Sequence, residues 1–401
     1  MSLPAWLHPD FRLTDAAGTA TAAELIDAAT RLAEELPLWS RAGLAAIEAR
    51  AILCALLAAE ARQADLFLIR DASAGADIDH RIEGDKIVEI AEDAPPGTGL
   101  VWLQTSGSTG RPKWVSHQPE DLRARISAGP PQARWLLSYG AGSFAGLQVI
   151  LSAAIGGHHL VVPAATPTIG DLAALAAQHR ITHLSGTPTF WRAFLMALGV
   201  VDLPLATATL GGEATDQALL DALGARFPTA RLRHLYATTE LGTVFSVADG
   251  SAGFPAAWLK TDRNGVRLTI TDHDTLAVAR DGGAFQDTGD RVVVVENRVL
   301  FRGRLDAMVN IGGVKIWPEE VEAHLLQLPF VRDALVSARP SPITGSILVA
   351  DLVLADPEAQ AACEPLVKAH LERLPRAARP AMIRYKSALP TGQTGKKLRM
   401  P

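Results

Sequence analysis

Apolar positions recur along the chain in two rhythms, and their alternation predicts the architecture. Residues 41–63 (RAGLAAIEARAILCALLAAEARQ) repeat apolar side chains at helical spacing among strong helix formers, with Glu48 and Arg50 on one side. Short apolar runs then occupy 99–105, 134–139, 158–163, 181–185, 207–211 and 232–236. Their length suits buried strands. Helical stretches at 169–179, 189–198 and 215–226 separate them. Strands alternating with helices predict βαβ units and a mostly parallel sheet in a large α/β domain. After about Gly250 the pattern changes. Stretches 266–271, 291–296 and 299–302 read as strands of a hairpin-rich β region, with Glu296-Asn297-Arg298 as a hairpin loop. A helix begins at Pro318, with proline in its first turn and Glu319, Glu320 and Glu322 near its positive end. Strands at 334–338 and 347–354, a helix at 358–373 and a basic tail complete a small α+β unit. No internal repeat is visible.

Composition narrows the class. A chain of 401 residues has room for two or three domains. Hydrophobic residues make up 48% and charged residues 20%, which supplies a core and excludes a disordered chain. The net charge of -5 argues against a general nucleic-acid face, yet leaves room for a local basic pocket for phosphate. Cys54 and Cys363 stand far apart with no CxxC spacing, as expected of two reduced thiols in a cytoplasmic protein. The segment MSLPAWLHPDFRLTD lacks the basic and apolar regions of a secretory signal. Residues 135–170 carry no Asp, Glu, Lys or Arg, but Gly140, Gly142, Pro163 and Pro167 interrupt them. They read as short buried strands around one helix, so no membrane segment is expected. His183 and His234 flank strands and have no second ligand at a metal-binding spacing.

Chemistry concentrates in a few strings. Thr105-Ser106-Gly107-Ser108-Thr109-Gly110-Arg111-Pro112-Lys113 follows an apolar strand directly. Its glycines allow tight turns that aim N–H groups at an anion, its hydroxyls add donors, and Arg111 and Lys113 add charge. Read from its residues alone the string is either a phosphate cradle or an ordinary Ser/Thr/Gly surface loop, and it lacks the GxxxxGK[ST] spacing of a Walker A loop, which disfavours a generic NTPase or kinase. Four further strings follow in order. They are Leu210-Gly211-Gly212-Glu213-Ala214, Tyr236-Ala237-Thr238-Thr239-Glu240, Thr288-Gly289-Asp290 and Gly303-Arg304-Leu305-Asp306. The last continues through Ile311–Glu322, and Leu389-Pro390-Thr391-Gly392-Gln393-Thr394-Gly395-Lys396-Lys397-Leu398-Arg399 closes the series.

In this set and order the strings resemble the motifs of the adenylate-forming superfamily, here an AMP-binding acyl-CoA synthetase-like member with a shortened N-terminal region. The resemblance runs from Thr105 to Arg399. It implies that Thr105, Ser106, Gly107, Ser108, Thr109, Gly110 and Lys113 hold the β- and γ-phosphates of ATP. Gly211, Gly212 and Glu213 lie along the adenine, Tyr236 packs on it, and Thr239 touches the α-phosphate. Glu240 helps to hold Mg²⁺, as a hard oxygen ligand can. Asp290 grips the ribose hydroxyls, Arg304 contacts the ribose or phosphate side, and Asp306 is a hinge. Lys396 is the adenylation lysine, a cation at the reacting centre. Departures from the family pattern are Ala237 for glycine, Gln286-Asp287 before the Thr-Gly-Asp string, and Asn310 for a lysine.

The implied fold is a large α/β AMP-binding domain (1–303), a hinge (304–306) and a small mobile α+β domain (307–401) carrying the adenylation lysine. The implied reaction activates a carboxylic acid with ATP to an acyl-adenylate, releasing pyrophosphate, and passes the acyl group to a thiol. Coenzyme A is the expected acceptor. A separate carrier protein's phosphopantetheine, or an amine, is the alternative, and a catalytically silent acyl-nucleotide binder is a remote one. Ser143, Phe144, Ala237, Thr238 and Thr243 are the expected acyl-pocket residues. Without an acid there to receive an α-amino group, an aryl or short acyl acid is expected. The early position of the signature loop suggests a trimmed N-terminal wall, and hence a homodimer.

Overall fold

The computed structural model describes residues 4–45, 48–91, 94–105, 113–126, 132–341, 345–392 and 396–398. The chain forms two compact units. One comprises Met1–Gly186, Phe194–Thr209 and Ala237–Thr243, the other Thr187–Ala193, Leu210–Tyr236 and Val244–Pro401.

The first unit contains a six-stranded sheet. Its order is Lys86–Glu89, His80–Glu83, Arg41–Ala45, Asp65–Ile69, Val101–Thr105, Lys113–His117. The four inner strands pair in parallel and each edge strand is antiparallel to its neighbour. The helix expected over 41–63 is therefore two elements, the strand Arg41–Ala45 and the helix Ala49–Arg62. Residues 41–45 lie between two parallel partners, so the ladder satisfies their backbone on both sides. Tertiary pairing here overrides a helical propensity that is only a weak prior. Asp65, fully buried, fixes the centre of this sheet. Its carboxylate accepts from Thr98 N (2.7 Å), Leu100 N (3.0 Å), Trp102 Nε1 (3.0 Å) and Arg41 Nη1 (3.2 Å).

A second sheet in this unit runs His183–Gly186, Arg134–Leu136, His159–Val161, Arg12–Asp15, Gly18–Thr21, parallel except for the last pair. The uncharged stretch 135–170 holds the helix Phe144–Ile155, whose Leu147, Ile150 and Ala154 are fully buried. Helices Ala22–Glu35 and Ala49–Arg62 pack together, the first started by a Thr21–Glu24 capping box.

The second unit begins its β region with an antiparallel sheet ordered Phe254–Pro255, Arg298–Arg304, Gln286–Val295, Thr275–Arg280, Val266–Ile270. The expected hairpin turn is there, with Glu296 at φ 52° between Val295 and Arg298. The hairpin Val309–Ile311/Val314–Ile316 follows, then the helix Pro318–Leu325 with proline in its first turn. Strands Val331–Ser341, Gly345–Leu354 and Met382–Tyr385 form a sheet, and its core joins Val321, Leu325, Val336, Leu348 and Val367. Among the described residues no helix is long and apolar enough to cross a membrane.

Candidate active site

In the second unit, Gly211-Gly212-Glu213 stands at the end of a strand. Gly212 has φ +84°, a left-handed conformation that a side chain strains. A Cβ there would stand 3.1 Å from Cε and 4.0 Å from Nζ of Lys396, so the lysine stem lies on the glycine backbone. Residues 390–392 pair with 396–398 beside this place. Gly392 N donates to Lys396 O (2.8 Å), Leu398 N donates to Pro390 O (2.9 Å), and Thr391 bridges Lys397. Glu213 is tied on two sides. Its Oε2 accepts from Thr189 N (3.0 Å) and Thr189 Oγ1 (2.8 Å), and its Oε1 accepts from Lys397 N (3.1 Å). Its side chain thus joins the start of the helix Pro188–Leu198 to the tail, a role that the expected adenine contact did not foreshadow.

The same unit assembles Tyr236, Asp290, Arg304 and Asp306. Strand pairing sets Asp290 opposite Arg304, and Gly289 at φ +71° lets the backbone turn beside the guanidinium. The Tyr236 hydroxyl donates to Asp290 Oδ2 (2.5 Å) and Arg304 Nη1 donates to Oδ1 (3.3 Å). An ionised carboxylate offers about four lone-pair sites, so about two remain for a diol. Burial raises the Asp290 carboxyl above its usual range, while the Tyr236 hydroxyl, Arg304 and Lys396 pull it down. Burial and the Asp290 charge push the Tyr236 phenol up, so it stays a donor at neutral pH. The Tyr236 ring stacks with Phe301 (4.9 Å) and Phe245 (5.3 Å). Arg304 Nε also donates to Asp306 Oδ1 (2.9 Å), and this bond leads the effects that raise its pKa.

In the first unit, Thr105 ends one edge of a hairpin and Lys113 begins the other, with Thr105 Oγ1 3.5 Å from Lys113 O. Ser106, Gly107, Ser108, Thr109 and Gly110, with Arg111 and Pro112, lie outside the described residues, as do Gln393, Thr394, Gly395 and Arg399. Thr239 and Glu240 follow a strand in a turn where Leu241 N donates to Thr238 Oγ1 (3.0 Å). Glu240 is exposed and forms no hydrogen bond or ion pair to a described residue, which suits one carboxylate on a cation whose other ligands are phosphate and water oxygens. Phe144 lies 5.9 Å from the His117 ring and 3.7 Å from a Cβ built on Gly242. Burial lowers the His117 pKa, against the opposing charges of Asp121 and Glu240, and its buried Nε2 has no partner among the described residues. The motif reading missed His117. Ser143 is buried, donates to Gly140 O (2.8 Å) and accepts from Gly146 N (3.0 Å). Its oxygen, by accepting from Gly146 N, caps the helix Phe144–Ile155. Ala237 and Thr243 are half-buried.

Sequence comparison places these parts in one family. The AMP-binding enzyme family matches residues 40–284, and the AMP-binding enzyme C-terminal domain matches 320–396. The chain belongs to the AMP-binding enzymes, within the adenylate-forming superfamily, and is acyl-CoA synthetase-like in build. A 2-succinylbenzoate–CoA ligase from Bacillus velezensis is 26% identical over 85% of this chain and 78% of its own. An isonitrile lipopeptide synthase from Streptomyces coeruleorubidus is 29% identical over 73% of this chain, which spans only 23% of that protein. Among solved structures, o-succinylbenzoate CoA synthetase from Bacillus subtilis, in complex with its acyl-adenylate intermediate, superposes with a TM-score of 0.70. It is 19% identical, and the match covers 97% of this chain and 94% of that one. The anthranilate CoA ligase AuaEII gives a TM-score of 0.72 at 16% identity, covering 96% of this chain and 92% of that one. At such identities these likenesses show the fold.

Proposed function

We propose that this protein is an AMP-forming acid–thiol ligase. A carboxylate attacks the α-phosphorus of ATP, giving an acyl-adenylate and pyrophosphate. A thiol then attacks the mixed anhydride, forming a thioester and releasing AMP. The observation that carries the reading is the seating of Lys396 on Gly212. A cation held there serves the site where charge moves in the first step. Asp290 holds the ribose diol, steadied by Tyr236 and Arg304. Thr105, Lys113 and the loop between them hold phosphates, and Thr239 touches the α-phosphate. Glu240 would hold Mg²⁺, which neutralises phosphate charge. Positioning and charge, rather than covalent catalysis, do the work. Residues 307–401 form a lid that turns about Asp306 between the two steps.

The acid is an aryl or short acyl carboxylate, and the acceptor is coenzyme A. Relatives named for 2-succinylbenzoate–CoA ligation favour both assignments. A carrier-protein acceptor is the second reading, favoured by a D-alanine–D-alanyl carrier protein ligase from Bacillus velezensis, 25% identical over 58% of this chain. The test is pyrophosphate release from ATP with benzoate, anthranilate, 2-succinylbenzoate, hexanoate and D-alanine, with and without coenzyme A. Acid-dependent pyrophosphate and AMP support the ligase. ADP release independent of acid would overturn it, and nucleotide binding without turnover would indicate a silent binder.

A further inference from the structure

Beyond the motif residues, the second unit contains a chain of alternating charges that ends beside the adenylation lysine. Arg192, on the helix Pro188–Leu198, pairs with Asp216 through Nη2, and its Nε lies 3.8 Å from Asp333. Asp333 is buried, at 6% exposure. Its Oδ1 accepts from Ala334 N (2.9 Å) and pairs with Lys397 Nζ at 2.7 Å. Lys397 Nζ also donates to Ala334 O (2.6 Å). Burial raises the Asp333 carboxyl, and the Lys397 and Arg192 charges oppose that rise. Lys397 is therefore held at two atoms, its backbone N–H by Glu213 and its ammonium by Asp333. Successive side chains of extended backbone point to opposite sides. Anchoring Lys397 inward leaves the preceding Lys396 outward, across Gly212.

We infer that Glu213 and Lys397 are positioning residues for Lys396, clamping the tail so that the lysine is set for acyl-adenylate formation. This rests on the ligase reading. The thiol step in that reading does not use Lys396, so the clamp serves one half-reaction only. A merely structural contact would lower stability and both half-reactions together.

The test uses the full-length protein, Glu213→Gln, Lys397→Met and, as conservative rescue, Lys397→Arg. Three quantities are measured. They are hydrogen exchange of the Lys397 amide, pyrophosphate exchange with the fastest acid of the panel above, and conversion of that acid's pre-made adenylate with pantetheine. In Glu213→Gln the amide should exchange about tenfold faster or more, since its charged acceptor is gone. In both Glu213→Gln and Lys397→Met, kcat for pyrophosphate exchange should fall about ten- to a hundredfold, as slight misplacement of a reacting group does. In Lys397→Met, KM for ATP and the pantetheine step should stay within about twofold, and Lys397→Arg should recover most of the exchange rate. Unchanged amide exchange in Glu213→Gln would show that the clamp does not hold the tail, and equal loss in both half-reactions would reduce it to a structural contact. Either result overturns the inference while leaving the ligase reading intact. Wild-type protein without acid-dependent exchange would overturn the ligase reading, and the positioning role with it, whatever the amide shows.

Discussion

Gly212 combines two demands that no other residue meets. Its φ of +84° lies in the left-handed region, and Lys396 Cε stands 3.1 Å from where a Cβ would be. Gly212→Ala should cost about 1–2 kcal/mol from backbone strain, read as a lower urea midpoint at unchanged slope. It should also slow acid-dependent pyrophosphate exchange by more than that stability loss explains, because the methyl displaces the lysine stem. Tyr236 is a second residue-scale test. Tyr236→Phe leaves a buried carboxylate short of one charge-assisted hydrogen bond, worth about 1.5–3 kcal/mol. The variant should bind AMP more weakly by calorimetry, and unaltered affinity would separate Asp290 from the ribose. At this scale the motifs made Asp290, Arg304 and Lys396 legible in the sequence. The bonds from Tyr236 to Asp290 and from Glu213 to Lys397 were not, because they join residues far apart in the chain and no local pattern encodes such pairing.

At the scale of elements, the helices Pro318–Leu325 and Gln360–Leu371 are locked by two histidines. Their rings stack at 3.9 Å, His324 Nε2 donates to His370 O (3.0 Å), and His370 Nε2 donates to His324 O (2.9 Å). Burial lowers the His370 pKa, the bond to His324 opposes that, and the charges of His324 and Arg373 add to it. A group whose folded pKa is depressed takes up fewer protons folded than unfolded, so its stabilising effect is complete above the ordinary histidine range. It is lost as pH falls through the window below about 6.5. Wild-type protein should therefore lose more stability between pH 7 and 5 than His370→Gln, which keeps an N–H donor but does not titrate. Equal slopes in paired urea titrations would contradict this.

Strands bounded by glycine and proline, and the helix opened by Pro318, were legible because breakers and caps act locally. The strand Arg41–Ala45 was not, because its alanine- and leucine-rich sequence favours helix and only its two neighbours decide otherwise. The edge hairpin His80–Glu83/Lys86–Glu89 carries too many charges to stand out as strands.

For the whole molecule, two buried thiols and a modest net charge fit an ordinary globular enzyme. Burial pushes the Cys54 thiol up to about 11, so thiol-directed reagents should leave it unmodified at neutral pH in the folded protein. Rapid labelling of Cys54 by iodoacetamide under native conditions would contradict its burial. If the lid turns about Asp306, Asp306→Pro should hinder exchange between poses and impair one half-reaction far more than the other. Equal rates for both would place the hinge elsewhere.

The central claim is that this chain activates a carboxylic acid through Lys396. Its most direct test is acid-dependent exchange of radiolabelled pyrophosphate into ATP, run beside thiolysis of the pre-made acyl-adenylate, for wild type and Lys396→Ala. Loss of one charge-stabilising group at the reacting centre should lower exchange by about a hundred- to a thousandfold. Thiolysis should retain most of its rate. Exchange that survives the substitution, or a thiolysis rate that falls with it, would contradict the account.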